Sequence, residues 1–236
     1  MIREPFHFRE TFATILADDP HHIAAAKAGI LSARQAVEAY IARDPFFYAT
    51  FDPYTPDSDD PVITRMAGAA RKAGVGPMAA VAGTIAWAGV EAMMEAGAGF
   101  GVIDNGGDIA LVADRPVRVG VHAGNAPVSD RIAFVVPPQE TILGICTSSA
   151  TVGPSISLGM ADAVTVFARD VALSDAWATE VCNQIRPNDL SVLKRINADE
   201  VDGVFAVMGD KTVTWGRLPP LVPAHVDGQL ISAGDR

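Results

Sequence analysis

The chain has 236 residues, 49% hydrophobic and 19% charged, a composition that excludes an intrinsically disordered protein. Its formal net charge is −10, from 18 Lys and Arg against 28 Asp and Glu. That argues against a nucleic-acid or anionic-membrane surface, because both need basic patches and no Lys/Arg cluster supplies one locally. The length suits one large domain or two small ones, and either could bury a core.

In chain order, His7–Leu16 alternates apolar and polar residues and predicts a first strand. Apolar residues at Ile30, Leu31, Ala33, Val37, Tyr40 and Ile41 recur at helical spacing, which predicts a helix over Ala25–Ala42. His21-His22 before it reads as a turn. TPDSDDP (55–61) is the most polar stretch, a surface loop in preference to a boundary between lobes. Helices follow over about 61–73 and over Met78–Ala96. The apolar run Pro77–Met94 is broken by Gly83, Gly89 and Glu91, so it reads as a buried helix and not a membrane span. With no apolar leader in MIREPFHFRE, a cytoplasmic protein is expected.

FGVIDNGGDIALVAD predicts two strands around a tight turn, since Asn-Gly tolerates positive φ. Val117–His122, Ile132–Val136 and Ile142–Cys146 are predicted as further strands of the same sheet, then Ala163–Ala168 as another. A helix over Leu173–Ile185 comes next, with a second helical stretch at Asp189–Ile196. Gly203–Met208 and Thr212–Trp215 form a closing hairpin around GDK. Long helices mixed with an antiparallel run give an α+β class. Cys146 and Cys182 sit in apolar stretches as buried free thiols, and Trp87, Trp177 and Trp215 as core.

Three segments can carry chemistry, each with a plainer alternative. Asn105–Asp108 (NGGD) is either a hairpin turn or a place where a nucleotide approaches the backbone, with Asp108 contacting a ribose or amide. TSSATVGPS (147–155) offers hydroxyl and N–H donors of the kind that cradle phosphate, yet no lysine follows and it is not a P-loop. Asp175 and Thr179 in SDAWATE lie four apart and share one helix face. They are either two hard oxygens for Mg²⁺ or an acid near a helix N-terminus beside a buried threonine. His122, at a strand end, reads as structural, and no Ser/His/Asp set can be argued.

The order NGGDIAL, VRVGV, CTSS, ADAVTVFA, SDAWAT resembles the ApbE-type FAD:protein FMN transferases, which carry a GGDI turn, a TSG segment and a D-A-x-x-T helix. The likeness covers about Pro77–Ile185. With ARDPFFYATFDPY included, nearly the whole chain is similar to the shorter, soluble ApbE-like branch. The resemblance implies one domain over 1–236, built as a mixed, largely antiparallel sheet packed with helices. It implies FAD or a related nucleotide held by Asn105, Gly106, Gly107, Asp108, Thr147, Ser148 and Ser149, and Mg²⁺ held by Asp175 and Thr179. In that chemistry an acceptor Thr or Ser hydroxyl attacks the FMN phosphorus and releases AMP.

The departures are specific. TSG is TSS, the lysine of the family's Lys-Gly pair is Ala82, and the His-x-x-Asp-Pro-x-Thr-Gly segment is replaced by VGPSISLGM, with Pro154 where the branch carries a histidine. The expectation is therefore a Mg²⁺-assisted flavin-nucleotide pocket with weak or no transfer. The alternatives are a non-catalytic accessory protein binding another metabolite, including one in sulfur and homocysteine metabolism with Cys146 beside TSS, and a homo-oligomer that keeps no small-molecule site.

Overall fold

A computed structural model describes residues 1–150 and 159–226. The chain opens with the hairpin β1 (Ile2–Phe8) and β2 (Thr11–Ala17), followed by α1 (Pro20–Arg43), α2 (Pro45–Ala49) and α3 (Pro61–Ala73). A 3₁₀ turn at Pro77–Ala80 leads into α4 (Val81–Glu95), then β3 (Phe100–Asn105), β4 (Asp108–Ala113), β5 (Val117–Gly120), β6 (Ile132–Val136) and β7 (Gln139–Ser148). After the undescribed stretch come β8 (Ala163–Ala168), α5 (Val171–Gln184), a 3₁₀ turn at Ser191–Arg195, β9 (Gly203–Met208), β10 (Lys211–Gly216) and β11 (Leu221–Pro223).

Eight strands form one antiparallel sheet in the order β1-β2-β3-β4-β7-β8-β9-β10, with the helices on one face. Strand alternation divides the side chains between two cores. Ala110, Cys146, Val164, Val166, Val204 and Ala206 face the helices, while Leu111, Leu143, Ile145, Phe167, Phe205 and Val207 face the other way. β8 and β9 are buried on both faces, so AVTVFA and GVFAVM read as unbroken apolar runs.

Helix starts follow their caps. The Asp19 carboxylate accepts the His21 N–H at 2.7 Å, with Pro20 at the first helical position. α1 thus begins earlier than Ala25, and His21-His22 lie in its first turn, not in a loop. Asp60 caps α3 the same way, and Gly74 ends it at φ 89°.

Three strand assignments need correction. His7–Leu16 is the turn of a hairpin, reversed at Arg9 with φ 52°, a residue that carries no turn signature. Val117–His122 and Ile132–Val136 do not join the main sheet. β6 pairs with β5 on one side and β11 on the other in a separate three-stranded sheet that covers its second face, and His122 lies beyond β5. Alternation shows that a segment is a strand, but partner choice is a long-range matter.

Pro77–Glu95 is long and apolar enough to cross a membrane by composition, but half of that window is buried. α4 packs there against α1, β3, β4 and α5. Trp177 is buried, whereas Trp87 and Trp215 are only half-buried against the core.

Candidate functional site at one end of the sheet

The turn joining β3 to β4 uses Gly106 at φ 71° and Gly107 at φ 102°, backbone angles that a side chain disfavours. The Gly107 N–H donates to Asp104 Oδ1 at 2.8 Å and locks the turn. Asn105 and Asp108 are directly paired across it, so both side chains face the helices. Buried Asn105 donates from Nδ2 to the Ala82 carbonyl at 3.0 Å and ties the turn to the start of α4.

β7 brings the second segment alongside. Asp108 pairs with Cys146, and the Thr147 N–H donates to the Gly107 carbonyl at 3.1 Å. NGGD and TSS are thus neighbours, as their order in the sequence implied. They are not equivalent linings, however. Alternation puts buried Ser148 on the Asp108 face and Thr147 on the opposite face, where its hydroxyl meets that of Thr165 at 2.9 Å. Ser149 follows half-buried, and residues 151–158, including Pro154, lie outside the described residues.

α5 supplies the third segment. It begins at Val171, capped by Asp170, whose carboxylate accepts the Leu173 N–H at 2.9 Å. Asp175 is therefore a full turn inside the helix and is not its N-terminal acid. Its Oδ2 instead accepts the Gly83 N–H at 2.8 Å, and the Ala82 N–H acts on it as well. α4 has no capping side chain of its own, so Asp175 caps a neighbouring helix. Half-buried Thr179 lies one turn further along α5.

The close approach requires glycine at 83. A Cβ there would stand 2.9 Å from Asp175 Cβ and 3.1 Å from the Val171 carbonyl oxygen. Gly83→Ala is expected to destabilise the protein by about 1–3 kcal/mol in a chemical denaturation series, because two helices would have to part. An unchanged midpoint would show that α4 and α5 can slide.

The electrostatics are one-sided. Desolvation pushes Asp108 well above the ordinary carboxylate range, and the charges of Asp175 and Asp104 push it further. Desolvation likewise raises Asp175 to about 7, against the pull of the Gly83 and Ala82 N–H groups. Cys146 is fully buried, and burial plus the charges of the same two carboxylates push its thiol well above the ordinary range. Its amide donates to Ser174 Oγ at 3.2 Å, and Ser174 donates to the Val166 carbonyl at 2.7 Å.

Two desolvated carboxylates with mutual repulsion suit a hard divalent cation, which accepts one or two carboxylates and completes its shell with water and ligand phosphate. Among the described residues no three His, Cys, Asp or Glu side chains form a ready cage. Asp108, Asp175 and the Thr179 hydroxyl would hold the ion, with the remaining oxygens coming from outside the protein. A cleft of about 330 Å³ lies elsewhere, at the opposite end of the sheet between Val136, Leu143, Phe167 and Arg169, and includes none of these residues.

The sequence had not pointed to the charge of Asp175 acting on Asp108, to Asp104 or to Ser174. Only Gly83 carried a signal, as the glycine of the family's Lys-Gly pair.

The chain is similar to known proteins in sequence and, separately, in fold. The chain is 70% identical over 237 residues to a "UPF0280 protein" of Methanoregula boonei, each covered fully. It is 63% identical to a "UPF0280 protein" of Methanoculleus marisnigri, covering 99% of this chain and 96% of that one. Among solved structures, the apo flavinyl transferase ApbE of Pseudomonas stutzeri matches with a TM-score of 0.54 at 13% identity, over 91% of this chain and 94% of that one. The flavin transferase ApbE of Vibrio cholerae matches with a TM-score of 0.54 at 12% identity, over 91% and 96%. Such identities establish a shared α+β fold and nothing finer. The family model described as "AbpE bacteria" matches residues 6–235, and the chain belongs to that family.

Proposed function

We propose that the sheet end formed by Asn105–Asp108, Thr147–Ser149 and α5 is a Mg²⁺-assisted pocket for FAD or a related nucleotide. The observation that carries this is the Asp108–Asp175 pair, desolvated and repelling, with acidic neighbours as the charges acting on it. A divalent cation bridging to a pyrophosphate relieves that repulsion. The structural neighbours are flavin transferases, and they suggest the ligand class. Residues 1–236 act as one domain in this reading, since the N-terminal hairpin and the C-terminal β9–β10 belong to one sheet. The acidic balance supports a protein without nucleic-acid or anionic-membrane partners, and a cytoplasmic location belongs to the same proposal.

Transfer of FMN to a protein acceptor is weak or absent in this proposal, because alanine replaces the lysine at 82 and the histidine-containing segment is missing. Calorimetric titration with FAD, FMN, AMP and ATP, with and without Mg²⁺, tests the pocket. Mg²⁺-dependent binding of FAD is the expected result, and tighter binding of a flavin-free metabolite would favour the accessory-protein reading. Incubation with FAD and a family-type acceptor peptide tests transfer. Covalent flavin appearing at a true transferase's rate would overturn that part of the proposal.

A further inference from the structure

The cleft at the far end of the sheet is built more firmly than a gap between loops. Buried Val136, Leu143 and Phe167 form its apolar floor where the two sheets meet. Residues 217–220, between β10 and β11, form the facing wall and are anchored at both ends. The Arg217 N–H donates to the Asp202 carbonyl at 2.6 Å, and the Pro220 carbonyl accepts the Val135 N–H at 2.8 Å. Pro219 and Pro220 fix their own φ angles. Leu218 packs so closely on Gly203 that a Cβ there would stand 2.8 Å from Leu218 Cδ2. At about 330 Å³ the cleft lies at the lower end of the range for small-molecule sites, roughly 300–1,000 Å³.

Two polar groups in the cleft are held in place with bonding capacity to spare. β7 bulges beside it, since Leu111 pairs with Leu143 but Ala113 with Gln139. The bulge carries Thr141, whose Oγ1 accepts Arg169 Nη1 at 2.9 Å and whose carbonyl accepts it at 3.4 Å. One guanidinium nitrogen is thereby fixed, and Nε and Nη2 have no partner among the described residues. Gln139 lines the cleft and is only 8% exposed. Its amide nitrogen donates to the Pro137 carbonyl at 2.9 Å. The amide oxygen is left as an acceptor without a partner among the described residues.

Charge sets the direction in which a ligand would lie. Arg169 and Arg217 outnumber the cleft's one carboxylate, Asp202, whose Oδ1 is 4.0 Å from Arg217 Nη2. The cleft therefore keeps a positive balance in a chain of net charge −10. Beyond Arg169 lies a second cavity of about 190 Å³, lined by Lys72 and by Asp170, Asp199, Glu200 and Asp202. Glu200 pairs with Lys72, and the other carboxylates repel an anion. An anionic group is thus favoured at Arg169 and opposed further along, which leaves its apolar body over Phe167 and Leu143.

We propose that this cleft binds a small amphipathic acid, a single carboxylate on an apolar body with an N–H donor beside it. An N-acylated apolar amino acid has this chemistry. Arg169 takes the carboxylate side-on through Nε and Nη2 in a charge-assisted pair, and exposed Arg217 adds a second positive charge. The Gln139 amide oxygen accepts from the N–H, and Val136, Leu143, Phe167 and Leu218 cover the apolar body. The site lies at the opposite end of the sheet from Asp108 and Asp175, and it stands or falls separately from the nucleotide reading.

The test is a methyl NMR titration of the full chain, without nucleotide or Mg²⁺. The probes are N-acetyl-L-leucine, its uncharged carboxamide N-acetyl-L-leucinamide, and isocaproate, which lacks the N–H. N-acetyl-L-leucine should bind with a Kd on the order of 1 mM and move the Leu143 and Leu218 methyl signals. The carboxamide should bind about tenfold more weakly or worse. Arg169→Gln, an exposed position, should weaken the acid about tenfold and remove its advantage over the carboxamide. Gln139→Leu should remove the advantage of N-acetyl-L-leucine over isocaproate. Leu218→Glu, at the half-buried wall, should abolish binding of both acids and keeps the test open if Gln139→Leu fails to fold. No saturable shift up to about 10 mM, equal binding of acid and carboxamide, or Arg169→Gln binding like wild type would each overturn the proposal.

Discussion

Asp175→Asn is expected to abolish Mg²⁺-dependent nucleotide binding, by at least about 100-fold in affinity, without unfolding the protein. The two halves of that expectation have different physical sources. The carboxylate charge is what a divalent cation needs, and asparagine removes it. The capping of α4 needs only an oxygen aimed at the Gly83 N–H, and the asparagine carbonyl retains it. Asp175→Ala would lose both and should cost about 0.5–2 kcal/mol in addition, the usual value of a lost helix cap. Thr179→Val, one turn along, removes a neutral oxygen and should weaken binding far less. Calorimetric titration of the three variants, with and without Mg²⁺, separates charge from architecture. If Asp175→Asn binds nucleotide like wild type, the residue is a helix cap and nothing more.

The second large effect is on stability against pH. Asp175 titrates at about 7 in the folded protein against an ordinary carboxylate value of 3.8. Between those values the native state holds a proton that the unfolded chain has released, so the free energy of unfolding falls as pH rises. The loss is complete above pH 7 and amounts to roughly 4 kcal/mol at 1.36 kcal/mol per pH unit. Asp108 acts in the same direction, and each carboxylate raises the other's cost. The exposed carboxylates that are held low by partners, such as Asp18 and Glu200, lose their contribution only in acid. A series from pH 5 to pH 8, compared with Asp175→Asn, therefore reads the contribution of buried Asp175 and half-buried Asp108.

The thermal midpoint without divalent cation should drop across that range. Mg²⁺ should restore it at pH 8 and do little at pH 5, where the carboxyls are protonated and bind no metal. Asp108→Asn should raise the midpoint at pH 8 and flatten the curve, which marks stability given up for a charged site. A midpoint insensitive to both pH and Mg²⁺ would mean that the pair is relaxed by water or by movement of α5.

The local pattern was legible where chemistry is local. The helix over about 61–73 was readable because Asp60-Pro61 and Gly74 bound it locally, whereas apolar spacing alone passes over the Asp19-Pro20 start of α1 and places its beginning at Ala25. Asn105-Gly106-Gly107-Asp108 marks a hairpin because two glycines accept positive φ. Asp175 and Thr179 share a face because a helix turns every 3.6 residues. The order of the motifs was sufficient to identify the family, since order survives where single residues change.

What only the tertiary structure decided is pairing across distance. Strand periodicity marks β5 and β6 but carries no information about which sheet they join, since backbone hydrogen bonds are alike on every edge. Asp175 looks like a helix-start acid until α4 arrives with uncapped N–H groups at Ala82 and Gly83. Asp108 looks like a turn residue until the fold closes over it, and its ionisation is then shifted by desolvation and by the charges of Asp175 and Asp104. Each of these depends on burial and on charges far apart in the chain, and both quantities exist only once the layers have closed.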